Sequence, residues 1–193
     1  MLAGAARASH GEARRYAPRT RVTVAIDALI RIIPDFPTPG IIFRDITPLI
    51  KDKRGFRDAI DLFVERFANR GVGWVVGIEA RGYIFGAPLA YAIGAGFVPI
   101  RKPGKLPHET LTEEYALEYG TNALQIHADA IPRGERVVVV DDVLATGGTA
   151  AATRRLLDRM GVTVEAFAFL MELRGLGGRE ALAGAEVVSF LEY

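Results

Sequence analysis

The sequence predicts an α/β fold in which a parallel sheet carries helices on both faces, and three observations predict it. Residues 74–78, 137–140 and 164–171 are short apolar runs, which suit strands buried on both sides of a sheet. Apolar stripes at helical spacing separate them, including Ala152, Leu156, Leu157 and Met160. Glycine-bearing turns, Glu79-Ala80-Arg81-Gly82 and Thr146-Gly147-Gly148-Thr149, sit where strands would end and helices begin. Alternating strands and helices of this kind form a Rossmann-like layered sheet.

Residues 1–20 are rich in Ala, Gly and Arg, with Glu12 as their one acid. They predict a disordered tail; an Arg-rich targeting peptide or a start codon assigned too far upstream are the other readings. A single domain then spans 21–193. Ile26, Leu29, Ile30 and Ile33 predict an amphipathic helix over 22–33, stopped by Pro34. Residues 34–50 are proline-rich and predict a small, stiff hood presenting Ile41, Ile42 and Phe43 on irregular backbone. Phe56, Ile60, Phe63, Val64 and Phe67 stripe a core-covering helix ended by Gly71. Strand 74–78 leads into a helix from about Tyr83 to Ile93, closed by Gly94, in which Pro88 must lie in the first turn or kink the helix. Strand 97–100 delivers the basic cluster Arg101, Lys102 and Lys105. Residues 106–115 are polar and predict a mobile lid. Tyr115, Leu117 and Tyr119 alternate with Ala116 and Glu118, as the returning strand of a flexible β-hairpin would. Residues 121–131 read as a short extended segment and a turn, and 187–191 as an edge strand.

The chemistry concentrates after the valine run. Asp141 and Asp142 end it, and the loop Ala145, Thr146, Gly147, Gly148 and Thr149 opens a helix. Parallel sheets bind ligands beyond the carboxyl ends of their strands. Backbone N–H groups at a helix start favour a phosphate, and the Thr146 and Thr149 hydroxyls add donors. Two acids beside that cradle suit the vicinal hydroxyls of a ribose. Arg81 occupies the matching position after strand 74–78, well placed for an anion. A P-loop is excluded, because Gly104-Lys105 is followed by Leu106. No strand is followed by the glycine fingerprint of a dinucleotide site.

The stretch VVVVDDVLATGGTAAA resembles the 5-phosphoribosyl-1-pyrophosphate (PRPP) motif of the type I phosphoribosyltransferases. FPTPGIIFRD resembles the adenine-binding segment of the adenine-using members of that family, and EARG and LEYG fit two more of its motifs. The likeness runs from about Ile26 to the end of the sequence. It implies that Asp141 and Asp142 hold the ribose hydroxyls and that 145–149 hold the 5-phosphate. Glu79, Ala80 and Arg81 would form the pyrophosphate loop, commonly with a strained peptide geometry. Arg101 and Lys102, with Lys105 beside them, would meet the same group. Many relatives carry a further basic residue where Pro103 stands. Phe43 would stack on adenine, the backbone of Ile42 and Arg44 would read its edge, and Leu173 would cover the opposite face. Glu118 would act as acid/base at the purine, with Tyr119 supporting the site. The implied reaction is purine salvage: adenine and PRPP give AMP and pyrophosphate, with Mg2+ held mainly by substrate and water. The family also implies a cytoplasmic homodimer.

Composition is compatible. The chain has 193 residues, half of them hydrophobic, a formal net charge of +1, three histidines and no cysteine. Thiol catalysis and cysteine-ligated zinc are excluded. Near-zero charge predicts no nucleic-acid partner, and no apolar run is long enough to imply a membrane partner. Three rivals are an enzyme for a 6-oxo purine, a non-catalytic PRPP sensor and a nucleotide-binding domain of another type. FPTPGIIFRD argues against the first. The second wants a DNA-binding domain or a strongly basic face.

Overall fold

The computed structural model describes residues 26–116 and 121–193. Among these, five strands form a central parallel sheet: β3 (Trp74–Ile78), β4 (Gly96–Ile100), β7 (Arg136–Leu144), β8 (Thr163–Glu172) and β9 (Val187–Glu192), in the order β4-β3-β7-β8-β9. The valine run lies at its centre, and Val137, Val138, Val139 and Val140 are all fully buried. Successive strand residues face opposite sides. Val137 and Val139 therefore pack with Leu156, Leu157 and Met160 of helix α4 (Gly148–Met160), while Val138 and Val140 pack with Phe63, Phe67, Phe85 and Leu89. The last four belong to α2 (Lys53–Phe67) and α3 (Gly82–Ile93). Double-sided burial is why the run shows no polar alternation.

The topology positions the site. From β3 the chain passes through α3 to β4 on one side. From β7 it passes through α4 to β8 on the other. The loops leaving the neighbouring strands β3 and β7 thus part in opposite directions and open a crevice beyond their carboxyl ends.

Three expectations are corrected. The helix expected over 22–33 is, within the described residues, a 3-10 turn at Ile26–Leu29 followed by strand β1 (Arg31–Pro34). Its partner is β2 (Ile42–Asp45), antiparallel, so the residues expected on irregular backbone lie largely in a hairpin. Ile26 and Ile30 still reach the core, which a single turn suffices to arrange, while Ile32 is 60% exposed. The connecting turn is held by the Gly40 amide, which donates to Asp35 Oδ1 at 2.7 Å. Pro88 lies inside α3, past its first turn, the second of the two placements open to it. α2 ends at Phe67, and Gly71 follows in the turn to β3.

The segment expected as a polar lid also differs. Thr110–Ala116 is strand β5, pairing antiparallel with β6 (Thr121–His127), so Tyr115, expected on the returning arm of the hairpin, lies on its outgoing arm. The strand is tied to α4: the Glu113 carboxylate accepts from Arg155, and Arg159 donates to the Thr112 backbone carbonyl at 2.7 Å. The expected tail at 1–20, together with Glu118 and Tyr119, lies outside the described residues. A short helix α5 (Gly178–Ala181) precedes β9.

Candidate active site

A cavity of about 350 Å3 opens at the carboxyl ends of β3 and β7. Glu79, Ala80, Arg81, Lys102, Asp141, Asp142 and the whole loop from Ala145 to Thr149 line it. These members of the sequence-predicted phosphate, pyrophosphate and ribose set are therefore brought together.

The approach of the two loops depends on Gly82. A Cβ there would lie 2.5 Å from the Val140 carbonyl oxygen. The start of α3 packs that closely on β7 because the side chain is absent. Arg81, just before it, then reaches Asp142, with Nε 2.9 Å from Oδ2. This is an ion pair rather than an aligned hydrogen bond: the buried oxygen has no hydrogen-bond partner of good geometry. Asp142 is only 2% exposed. Burial pushes its carboxyl pKa up, against the opposing pull of Arg81. Asp141 keeps a partial opening to the cavity and accepts the Asp142 amide at 2.9 Å. Burial, and next the neighbouring Asp142 charge, push the Asp141 carboxyl well above the usual carboxylate range.

The loop after β7 turns on Gly147, whose φ of 79° suits glycine. The first helical bond of α4 runs from the Ala151 amide to the Gly147 carbonyl. Amides earlier in that turn have no helical acceptor and sit at the positive end of the dipole. Thr149 Oγ1 donates to the Tyr115 hydroxyl at 3.3 Å, tying the cradle to β5.

Glu79 is turned away from free acid chemistry. Its carboxylate accepts the Lys102 amide at 2.8 Å and Arg101 Nε at 3.4 Å. Burial alone would raise its pKa; these donors together hold it below the ordinary value. The Glu79–Ala80 peptide bond is cis. Lys102 lines the cavity, whereas Arg101 and Lys105 do not. Arg101 is occupied by Glu79 and by the Lys105 carbonyl, to which it donates at 2.9 Å. Their contribution is to shape the basic loop.

The hood hairpin stands beside this cavity. Arg81 Cζ is 5.7 Å from the Phe43 ring centroid, so one arginine touches both the acid pair and the hood. Phe36 braces Phe43 edge-on, with ring centroids 5.2 Å apart. Ile42 is 56% exposed and Arg44 is half-buried. The Leu173 amide donates to the Leu144 carbonyl at 2.8 Å, which fixes Leu173 directly behind the phosphate loop. It lines a separate depression with Glu172, Arg174 and Arg179. Tyr115, Asn122, Leu124 and Phe169 also line the main cavity. Reading the sequence missed them as site residues: period-2 alternation marks a strand, but not which loop the strand will face.

Strand order, switch-point crevice and paired acids beside a glycine-threonine cradle define a phosphoribosyltransferase site. Residues 49–183 match the phosphoribosyl transferase domain family. The chain is 56% identical over 168 residues to the adenine phosphoribosyltransferase of Acaryochloris marina, covering 87% of this chain and 99% of that one. It is 57% identical over 169 residues to that of Anaeromyxobacter dehalogenans, covering 88% and 98%. The crystal structure of the Thermoanaerobacter pseudethanolicus adenine phosphoribosyltransferase superposes with a TM-score of 0.85 at 50% identity, over 87% of this chain and 98% of that one. The Saccharomyces cerevisiae enzyme, solved with an imino-altritol bisphosphate and adenine, gives 0.80 at 40% identity, over 84% and 94%. The chain belongs to the adenine phosphoribosyltransferases.

Proposed function

We propose that this enzyme transfers the 5-phosphoribosyl group of PRPP to N9 of adenine, releasing pyrophosphate and AMP. The observation that carries the reading is Arg81, which lies 2.9 Å from Asp142 and 5.7 Å from the ring of Phe43. A sugar phosphate gripped by the acids and cradle would present its anomeric carbon toward a base held at the hood.

The roles follow from chemistry. The amides and hydroxyls of 146–149 bind the 5-phosphate; each charge-assisted bond is worth about 1.5–3 kcal/mol. Asp141 and Asp142 accept the ribose hydroxyls. As the bond to pyrophosphate breaks, positive charge grows on the sugar, as in glycoside cleavage. Ala80, Arg81 and Lys102 stabilise the leaving group. Arg101, Glu79 and Lys105 hold that loop in place. Phe43 and Leu173 sandwich adenine, and the backbone of Ile42 and Arg44 reads its edge. Glu118 removes the purine proton, with Tyr119 alongside. Oxygen-rich Asp141 and Asp142 fit a hard cation, and among the described residues no three His, Asp or Glu converge as a dedicated metal cage. When bound with PRPP, Mg2+ supplies positive charge to the departing pyrophosphate. The β5–β6 hairpin excludes water.

The enzyme is assigned to the cytoplasm as a homodimer acting on small molecules. That assignment rests on the family resemblance; no described helix is long and apolar enough to cross a membrane. The test supplies PRPP and Mg2+ with adenine, hypoxanthine, guanine or xanthine and follows nucleotide formation. AMP should form from adenine, with the other bases slower by at least about 100-fold. Equal or faster turnover of a 6-oxo purine would overturn the reading.

A further inference from the structure

We propose that Tyr193 is a positioning residue that sets the gap between the two walls of the purine slot, an inference that rests on the reading of Phe43 and Leu173 given above. On one side, its ring lies under the Arg44 guanidinium, with Cζ 3.7 Å from the ring centroid. Arg44 follows Phe43 in β2 and pairs with Ile32 of β1, so its position fixes the hood strand. The Tyr193 hydroxyl donates to the carboxylate of Asp27, in the turn that leads into β1. A tyrosine hydroxyl is an uncharged donor at neutral pH, and burial, then that bond, push its pKa higher still. On the other side, the Tyr193 amide donates to the Glu172 carbonyl at 2.9 Å, and its carbonyl accepts the Arg174 amide at 2.7 Å. These are the two neighbours of Leu173. One residue therefore grips the hood strand, the turn before it and both flanks of the opposite wall.

None of these contacts reaches the phosphate cradle, so the effect of removing them falls on the base. A slot widened by a fraction of an ångström loses stacking on both faces while PRPP binding is spared. Steady-state kinetics of wild type and Tyr193 variants, varying each substrate in turn, test this. Tyr193→Ala should raise KM for adenine about tenfold and leave KM for PRPP within about twofold. Tyr193→Phe keeps the ring over Arg44 and both backbone bonds, and should stay within about threefold of wild type for adenine. If the alanine variant fails to fold, Tyr193→Leu replaces it, with the same split expected. Unchanged adenine KM, or KM values rising together for both substrates, would overturn the inference. A wild type that used another purine and ignored adenine would instead sink the functional reading, and the same split measured with that purine would still decide the role of Tyr193.

Discussion

Asp141 and Asp142 place two carboxyls side by side in β7, directly after four fully buried valines, an arrangement that costs stability and makes sense at a binding site. Both have pKa values raised above the ordinary range, chiefly by burial. A raised folded-state pKa means the folded protein holds these protons more tightly than the unfolded chain. Their contribution to stability is therefore greatest at acid pH and is lost as pH rises through the folded values. Asp141→Asn should then raise Tm by about 2–4 °C at pH 8. That gain should shrink as melts are repeated below pH 4, where the unfolded Asp141 becomes protonated as well. The same variant should raise KM for PRPP about 10- to 100-fold, because a charged acceptor is gone. Loss of stability at pH 8, or unchanged PRPP kinetics, would contradict the assignment. The adjacency of the two acids and their place after four valines could be read from sequence. Their ion pair with Arg81 could not, because it depends on a residue some sixty positions earlier brought close by the contact of Gly82 with β7.

At the level of elements, the phosphate loop owes its shape to two adjacent glycines with different jobs. A Cβ on Gly147 would sit 2.8 Å from the Gly178 carbonyl oxygen at a φ of 79°. On Gly148 the nearest atom would be a Tyr115 ring carbon at 3.6 Å, ordinary contact. Gly147→Ala should therefore lower Tm by about 3–8 °C. Gly148→Ala should leave Tm within about 1 °C and raise KM for PRPP, because its methyl group projects beside Thr146 into the cavity. Thermal melts and kinetics on the pair separate the two roles, and identical behaviour would refute the distinction. Elements buried on both faces were legible: β3, β7 and β8 follow apolar runs, and α4 follows its stripe. The N-terminal hairpin was not. Ile26, Leu29, Ile30 and Ile33 fit a helical period, yet β1 forms because β2 offers it an antiparallel partner, a long-range choice that outweighs a short periodic signal. The β5–β6 hairpin was misread for a related reason. Its polar outer residues suggest a free loop, but Glu113 and Thr112 are spoken for by arginines of α4.

For the whole molecule, strand order turns scattered motifs into one site. The chain diverges from β3 toward β4 and from β7 toward β8 and β9, so the loop carrying Arg81 meets Asp142 of β7 where the sheet divides. The sequence motifs carried this expectation through local chemistry and family resemblance, whereas the distance from Arg81 to Phe43 emerges only once the hood hairpin folds over the sheet edge. The central claim is that cradle and hood share one nucleotide. A crystal structure of the enzyme with AMP tests it most directly. The 5′-phosphate should lie about 3 Å from amides and hydroxyls of residues 146–149, and the purine should lie between Phe43 and Leu173. A phosphate bound elsewhere, or a base that touches neither of those side chains, would contradict the account.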